Sequence, residues 1–162
     1  MKNIFIANTA SVYGDVKLSE GVNIWFNVSI RGDLAPISIG KNTNIQDNSV
    51  VHVDHNHETK IGEYVTIGHG SIIHGCTIED NVLVGMGTTI LNGAVIKENT
   101  IIGAGSLVTQ NKEFPSNALI MGRPAKFVRN LTETEIASIR KNALEYRENG
   151  MRYKNNEYKQ IK

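Results

Sequence analysis

Three histidines in this chain stand at positions whose phase can be read from the residues around them. His52 follows Val51 by one position, His74 follows Ile73 by one, and His69 lies two after Ile67. Three imidazoles around an open coordination position are the ligand set of a catalytic zinc centre, with water in the fourth place. A lone surface histidine is more often solvated than ligating, so the case rests on their joint placement and on the elements that set it.

Those elements come from an internal repeat. Aliphatic anchors recur every six positions at Ile6, Val12, Leu18, Ile24 and Ile30, at Ile39, Ile45 and Val51, at Ile61, Ile67 and Ile73, and from Ile78 through Val84, Ile90, Ile96 and Ile102 to Val108. A small or branched residue follows nearly every anchor four positions later, as Thr43, Ser49, Val65, Ser71, Thr88 and Ser106 do. Helices repeat at 3.6 and half-buried strands at 2, and neither template keeps phase over this length. A six-residue period is the signature of a parallel β-helix in which three hexads close one triangular coil. Gly85-Met-Gly87 and Gly103-Ala-Gly105 belong to this repeat and read as backbone features, not as phosphate-binding loops.

Breaks in the period must leave the coil as loops. One lies at residues 35–38 around Pro36 and another at residues 54–60, directly after His52. Between Ile73 and Ile78 the spacing shrinks to five, which tightens the corner after His74. Past Val108 the repeat is expected to fail, with Phe114-Pro115 and the Gly122-Arg-Pro-Ala-Lys126 stretch leaving the coil as irregular chain. Thr132-x-x-Glu135 then supplies a capping box, and Ile136, Ile139, Ala143 and Tyr146 follow at helical spacing. The expected organisation is one structural unit, with a β-helix and exit segment over residues 1–128. A C-terminal α-helix packed on it occupies residues 129–162, with a polar tail from Lys154.

With the excess of the 54–60 insertion set aside, His52 and His74 stand one full coil apart at the same hexad position. They should stack on one face about 4.8 Å apart, close enough to share a metal ion. His69 falls on the neighbouring face, too far around the corner to reach that ion from the same chain. Three prisms packed face to face about a threefold axis would let each interface combine His52 and His74 of one copy with His69 of the next. His55 and His57 lack this phase and read as solvated; a ligand set of His52 with His55 would need a loop to hold the geometry.

The bulk properties exclude several classes. The 162 residues suffice for one domain, and a formal charge of +1 leaves no field to attract nucleic acid or a membrane surface. The single Cys76 excludes an intrachain disulfide and suits a reducing compartment. No apolar run matches a secretory leader or a membrane span, so a soluble cytoplasmic protein is expected.

The chain resembles the γ-class carbonic anhydrases and their hexapeptide-repeat relatives. The resemblance is carried by Arg31-Gly-Asp33, Thr43-Asn-Ile-Gln-Asp47, Val51-His52, Ile67-Gly-His69, Ile73-His-Gly-Cys76, Gly85-Met-Gly87, Leu91-Asn-Gly-Ala94 and Gly122-Arg-Pro-Ala-Lys126. It implies a β-helix that coils left-handed, a homotrimer, and His52, His69 and His74 as ligands of zinc, with iron or cobalt as possible substitutes. The implied reaction is reversible hydration of CO2 to bicarbonate by a zinc-bound hydroxide at the trimer interfaces. By the same resemblance Arg31 and Asp33 form an interface and active-site pair, Asp47 is the cross-subunit partner of Arg31, and Gln46 hydrogen-bonds the metal-bound water. An interface salt bridge without catalytic duty is the simpler role for Arg31, Asp33 and Asp47.

The chain departs from the best-characterised members, which carry a longer acidic loop with a glutamate shuttle after the first ligand and another glutamate just after the Arg-x-Asp motif. Here Leu34 follows Asp33, which leaves Glu58, His55 or His57 to relay protons. Two other classes remain open at this point. One is acyl-CoA chemistry, as a metal-dependent thioesterase or a hexapeptide acyltransferase; the other is a metal-binding trimeric scaffold with little turnover.

Overall fold

The structure is a computed structural model and describes residues 3–161. It is a parallel β-helix with three flat faces, flanked by one α-helix. The first face stacks Phe5–Ile6, Asn23–Ile24, Asn44–Ile45, Thr66–Ile67, Leu83–Val84, Ile101–Ile102 and Ala118–Gly122 in parallel, and Ala125–Asn130 returns antiparallel at its end. The second face carries residues 11–14 and 29–32, then Val50–His52, Ile72–His74, Thr89–Ile90 and Leu107–Val108. The third carries residues 16–18 and 37–39, then Thr59–Ile61, Thr77–Ile78 and Val95–Ile96.

Most of the predicted anchors fill the prism. Ile24, Ile30, Ile39, Ile45, Ile67, Ile73, Ile78, Ile90, Ile96 and Ile102 are all fully buried, one above another. Branched side chains fit stacked short strands because each packs on its like in the next coil, which supplies the apolar burial that no single coil can achieve. The first coil differs. Ile6 is exposed while Phe5 is buried, and Val12 and Leu18 are only half-buried, since this coil has a stacking neighbour on one side only among the described residues.

Asparagines turn many corners. Asn27, Asn42, Asn48, Asn81, Asn99, Asn111 and Asn117 all have positive φ, which asparagine tolerates better than most residues. Their side chains also bond along the edge: Asn81 donates to Asn99 and Asn99 to Asn117, at 2.8 and 3.1 Å.

The segment expected to be irregular is ordered differently. Glu113 bridges to Val95 on the third face, Phe114 and Ile120 are buried in the core, and Ala118–Gly122 adds a further strand to the first face. The hexad phase in fact continues from Val108 through Phe114 to Ile120, with an aromatic anchor and Pro115 disguising it.

Helix α1 (Glu133–Lys154) begins at the predicted capping box, with the Thr132 side chain accepting from the Glu135 amide and the Glu135 side chain accepting from the Thr132 amide. It lies along the first face over the four strands from Phe5–Ile6 to Thr66–Ile67. Ile139, Ala143 and Gly150 are its buried positions. The interface is partly polar: Trp25 Nε1 donates to Asn23 Oδ1 at 2.8 Å, and Thr66 donates to Asn142 of the helix at 3.0 Å.

Candidate metal centre

His52 and His74 are direct partners in the ladder joining Val50–His52 to Ile72–His74. Their anchors Val51 and Ile73 point into the core, so alternation along the strand turns both rings outward on the second face. Ring centroids are 5.0 Å apart, and His52 Nδ1 lies 3.1 Å from His74 Nε2. The 54–60 insertion leaves this register intact. It is clamped where Thr59 donates to the His52 carbonyl at 2.7 Å and accepts from the Gly75 amide at 3.0 Å.

Each ring has its other nitrogen committed. His52 Nε2 lies 2.9 Å from Asp33 Oδ1. Asp33 reaches it because only Asp15 turns the corner between the second and third faces in the first coil, whereas residues 33–36 bulge at the same corner in the next. Arg31 pairs with the other Asp33 oxygen. Burial pulls the Asp33 carboxyl up, but hydrogen bonds from His52, the backbone and Arg31 together hold it below the ordinary carboxylate range. His74 Nδ1 lies 2.5 Å from Asn92 Oδ1, in the coil above. Asn92 Nδ2 donates to Asp54 Oδ2 at 3.1 Å, and the His55 amide donates to the other Asp54 oxygen at 2.8 Å. These bonds, the His55 amide first, hold the Asp54 carboxyl below its usual range. His69 stands on the other side of the corner, after Thr66–Ile67 of the first face, and its Nδ1 lies 2.9 Å from Asp47 Oδ2.

Carboxylate and amide oxygens only accept, so the facing imidazole nitrogen carries the proton in all three cases. Neutral His52 therefore presents a lone pair at Nδ1, and neutral His74 and His69 present lone pairs at Nε2. Two lone pairs 3.1 Å apart repel unless a cation or a proton lies between them. Two nitrogen ligands on tetrahedral zinc, with bonds of about 2.0–2.1 Å, stand about 3.3 Å apart, so the donor set fits that ion. An outer N–H held by a carboxylate or amide oxygen is the usual orientation device of metal-binding histidines.

Among the described residues, no group of three or more histidine, cysteine or acidic side chains is placed to hold a metal within one chain. Cys76 does not extend the set: it is buried, and burial pushes its thiol up to about 12, which keeps it protonated.

The remaining predicted site residues are placed as follows. Within the chain Arg31 pairs with Asp33, and Asp47 with His69. Gln46 is buried on the first face, with its amide nitrogen donating to Asn44 at 3.1 Å. His57 Nδ1 bonds the His55 carbonyl at 3.2 Å, and Glu58 pairs with Lys60 at 2.6 Å.

Two features escaped the sequence reading. Asn92 and Asp54 complete the support of His74, although the sequence marked Leu91-Asn-Gly-Ala94 only as part of the family resemblance. A groove of about 530 Å³ also runs beside His69 and Asp47, lined by Trp25, Phe26, Tyr146 and Tyr153. The signal for it was the spacing of Tyr146 and Tyr153, two helical turns apart on one side of α1.

Comparison with known proteins adds three kinds of likeness. Residues 75–110 match a family described as "Bacterial transferase hexapeptide (six repeats)". A "Probable carbonic anhydrase" of Methanocaldococcus jannaschii is 59% identical over 90% of this chain and 91% of its own length. "Gamma carbonic anhydrase 1, mitochondrial" of Arabidopsis thaliana is 46% identical over 90% of this chain, which spans 55% of the plant protein. The crystal structure of a hexapeptide transferase family protein from Anaplasma phagocytophilum superposes with a TM-score of 0.81 at 40% identity, covering 93% of this chain and 92% of that one.

Proposed function

Since the chain belongs to the γ-class carbonic anhydrase family of hexapeptide-repeat lyases, we propose that it hydrates CO2 reversibly to bicarbonate at metal centres shared between the copies of a homotrimer. His52 and His74 of one copy and His69 of the next would hold one zinc ion per interface. The observation that carries this reading is the facing pair of lone pairs on His52 and His74, each made by an outer hydrogen bond that fixes the ring's proton.

Zinc bound there supplies a Lewis acid that lets water act as a nucleophile near neutral pH. The chain's own residues do the rest. Asp33, Asn92 and Asp47 hold the three rings in the tautomers that face a cation. Arg31 keeps Asp33 ionised and in place. Asp47 lines the groove beside His69, where a neighbouring copy would close over the ring, and Gln46 next to it would hydrogen-bond the metal-bound water. Protons leave through His55, His57 and Glu58 on the insertion after His52, so changing all three to alanine removes the buffer-independent part of turnover in stopped-flow CO2 hydration.

The decisive test uses two inactive variants. His69→Ala and His74→Ala each lose activity and metal. Refolded together as mixed trimers, they recover a share of both, because some interfaces pair the intact His52 and His74 of one variant with the intact His69 of the other. Ligands drawn from a single chain would give no recovery. Metal analysis of protein purified with and without air separates zinc from ferrous iron and cobalt. The matched transferase family favours a second reading, acyl transfer from a thioester. Transferases of this fold rely on an unmetallated histidine, so stoichiometric metal counts against it.

A further inference from the structure

Asn92 differs from the other asparagines of the prism. Those in the corner columns have positive φ, and Asn27 with Asn48 and Asn81 with Asn99 and Asn117 bond to one another, whereas Asn92 has an ordinary φ and joins an imidazole to a carboxylate. Its amide can point only one way. Nδ2 donates to Asp54, so Oδ1 must face His74 and accept its Nδ1–H. The approach is close enough that a Cβ on Gly75 would lie 2.6 Å from Asn92 Oδ1 and 2.9 Å from His57 Cβ. Gly75 has φ +56°, so a side chain there would meet both steric clash and backbone strain. Asp54 in turn is fixed by the paired amides and carbonyls it exchanges with His57, at 3.0 and 3.3 Å, and by the His55 amide.

We infer that Asp54 and Asn92 are a positioning pair that holds His74 as its Nδ1–H tautomer and so sets how tightly the centre binds its metal. The inference rests on the proposed metal centre and deepens it. The insertion that follows the first ligand in sequence orients the second ligand, one coil away. A 54–60 loop of different length or without Asp54 would leave the Asn92 amide free to rotate and His74 free to change tautomer.

The test uses the full-length protein, Asn92→Ala, and the exchanged double variant Asp54→Asn with Asn92→Asp. The double variant keeps an acceptor toward His74 and a donor toward that acceptor. Nitrogen-15 NMR of the metal-free proteins reads the His74 tautomer, and competition with a chelator reads zinc affinity. Asn92→Ala should spread His74 over both tautomers and weaken zinc binding about 10–100-fold, with the double variant regaining most of that affinity. Should Asn92→Ala fail to fold, a double variant that folds and stays weak overturns the inference. An Asn92→Ala protein with an unchanged tautomer and affinity also overturns it, while leaving the metal centre standing. An unaltered protein that takes up no zinc, cobalt or iron removes the metal centre and this inference together.

Discussion

The two halves of the proposed centre are built to different depths. His52 and His74 belong to one β-ladder, with Val51 and Ile73 fully buried beneath them; the His52 side chain is only 16% exposed. Each is braced by a chain of partners, Arg31–Asp33 on one side and Asp54–Asn92 on the other. His69 stands near a corner with its side chain 43% exposed, and among the described residues it is braced by Asp47. Backbone pairing thus sets the spacing of two proposed ligands within the chain, whereas the third is a side chain whose surroundings the proposed assembly would complete. A preorganised pair and an adjustable single ligand divide the task between folding and association.

The largest break of this contrast removes a ligand from each half. His74→Ala should abolish metal retention and leave the proposed trimer assembled, since the strand that carries the ring stays paired on both sides. His69→Ala should abolish retention too, yet leave the metal-free His52–His74 pair intact. Inductively coupled plasma analysis reads the metal lost from both, and nitrogen-15 NMR of His52 distinguishes the two, since its neighbouring ring survives only in His69→Ala.

A second test acts on the stacked half from below. Ile73→Ala should cost about 2–5 kcal/mol of stability, as expected for deleting most of a fully buried aliphatic side chain, read by urea unfolding. It should also loosen metal binding, because the ladder that carries His74 rests on that anchor.

The braces give a finer comparison. Asp47→Ala and Asp33→Ala should each weaken zinc binding about 10–100-fold in chelator competition. The Asp47 change should have the larger effect of the two, since His52 keeps its ladder position beside His74, whereas Asp47 is the side-chain partner of His69 among the described residues.

The smallest effect is a control away from both halves. The Arg129 guanidinium and the Thr132 amide hold the Glu135 carboxyl down to about 2, from an ordinary 4.5. A carboxyl depressed in the folded state contributes stability that is fully present above its unfolded value and is lost as pH falls toward its folded one. Thermal melts between pH 5 and 2 should therefore show a loss that Glu135→Gln lacks, with metal affinity at neutral pH unchanged.

Much of this was legible because one period governs both packing and placement. Buried anchors six apart fixed the coil, and subtracting one insertion put His52 opposite His74, which is the pairing the ladder shows. What stayed hidden involves contacts between coils that no period announces. Asp33 reaches His52 through a bulge, and the sequence could mark that stretch only as a break around Pro36. The pairing of Arg31 with Asp33 was expected, whereas the bond of Asp47 to His69 within the chain was not. The exit of the coil was placed too early because Phe114 is an aromatic in an aliphatic column, although its six-residue phase is intact.

The asparagine edge carries a practical consequence for rebuilding this protein. From Asn81 to Asn117 successive coils present the same backbone path and the same amide column, so a complete turn there could be duplicated or excised as a cassette with its neighbours still in step. Shorter changes should be confined to the corners, as the five-residue step from Ile73 to Ile78 and the bulge at 33–36 already are, because the strands that follow each of them keep their register.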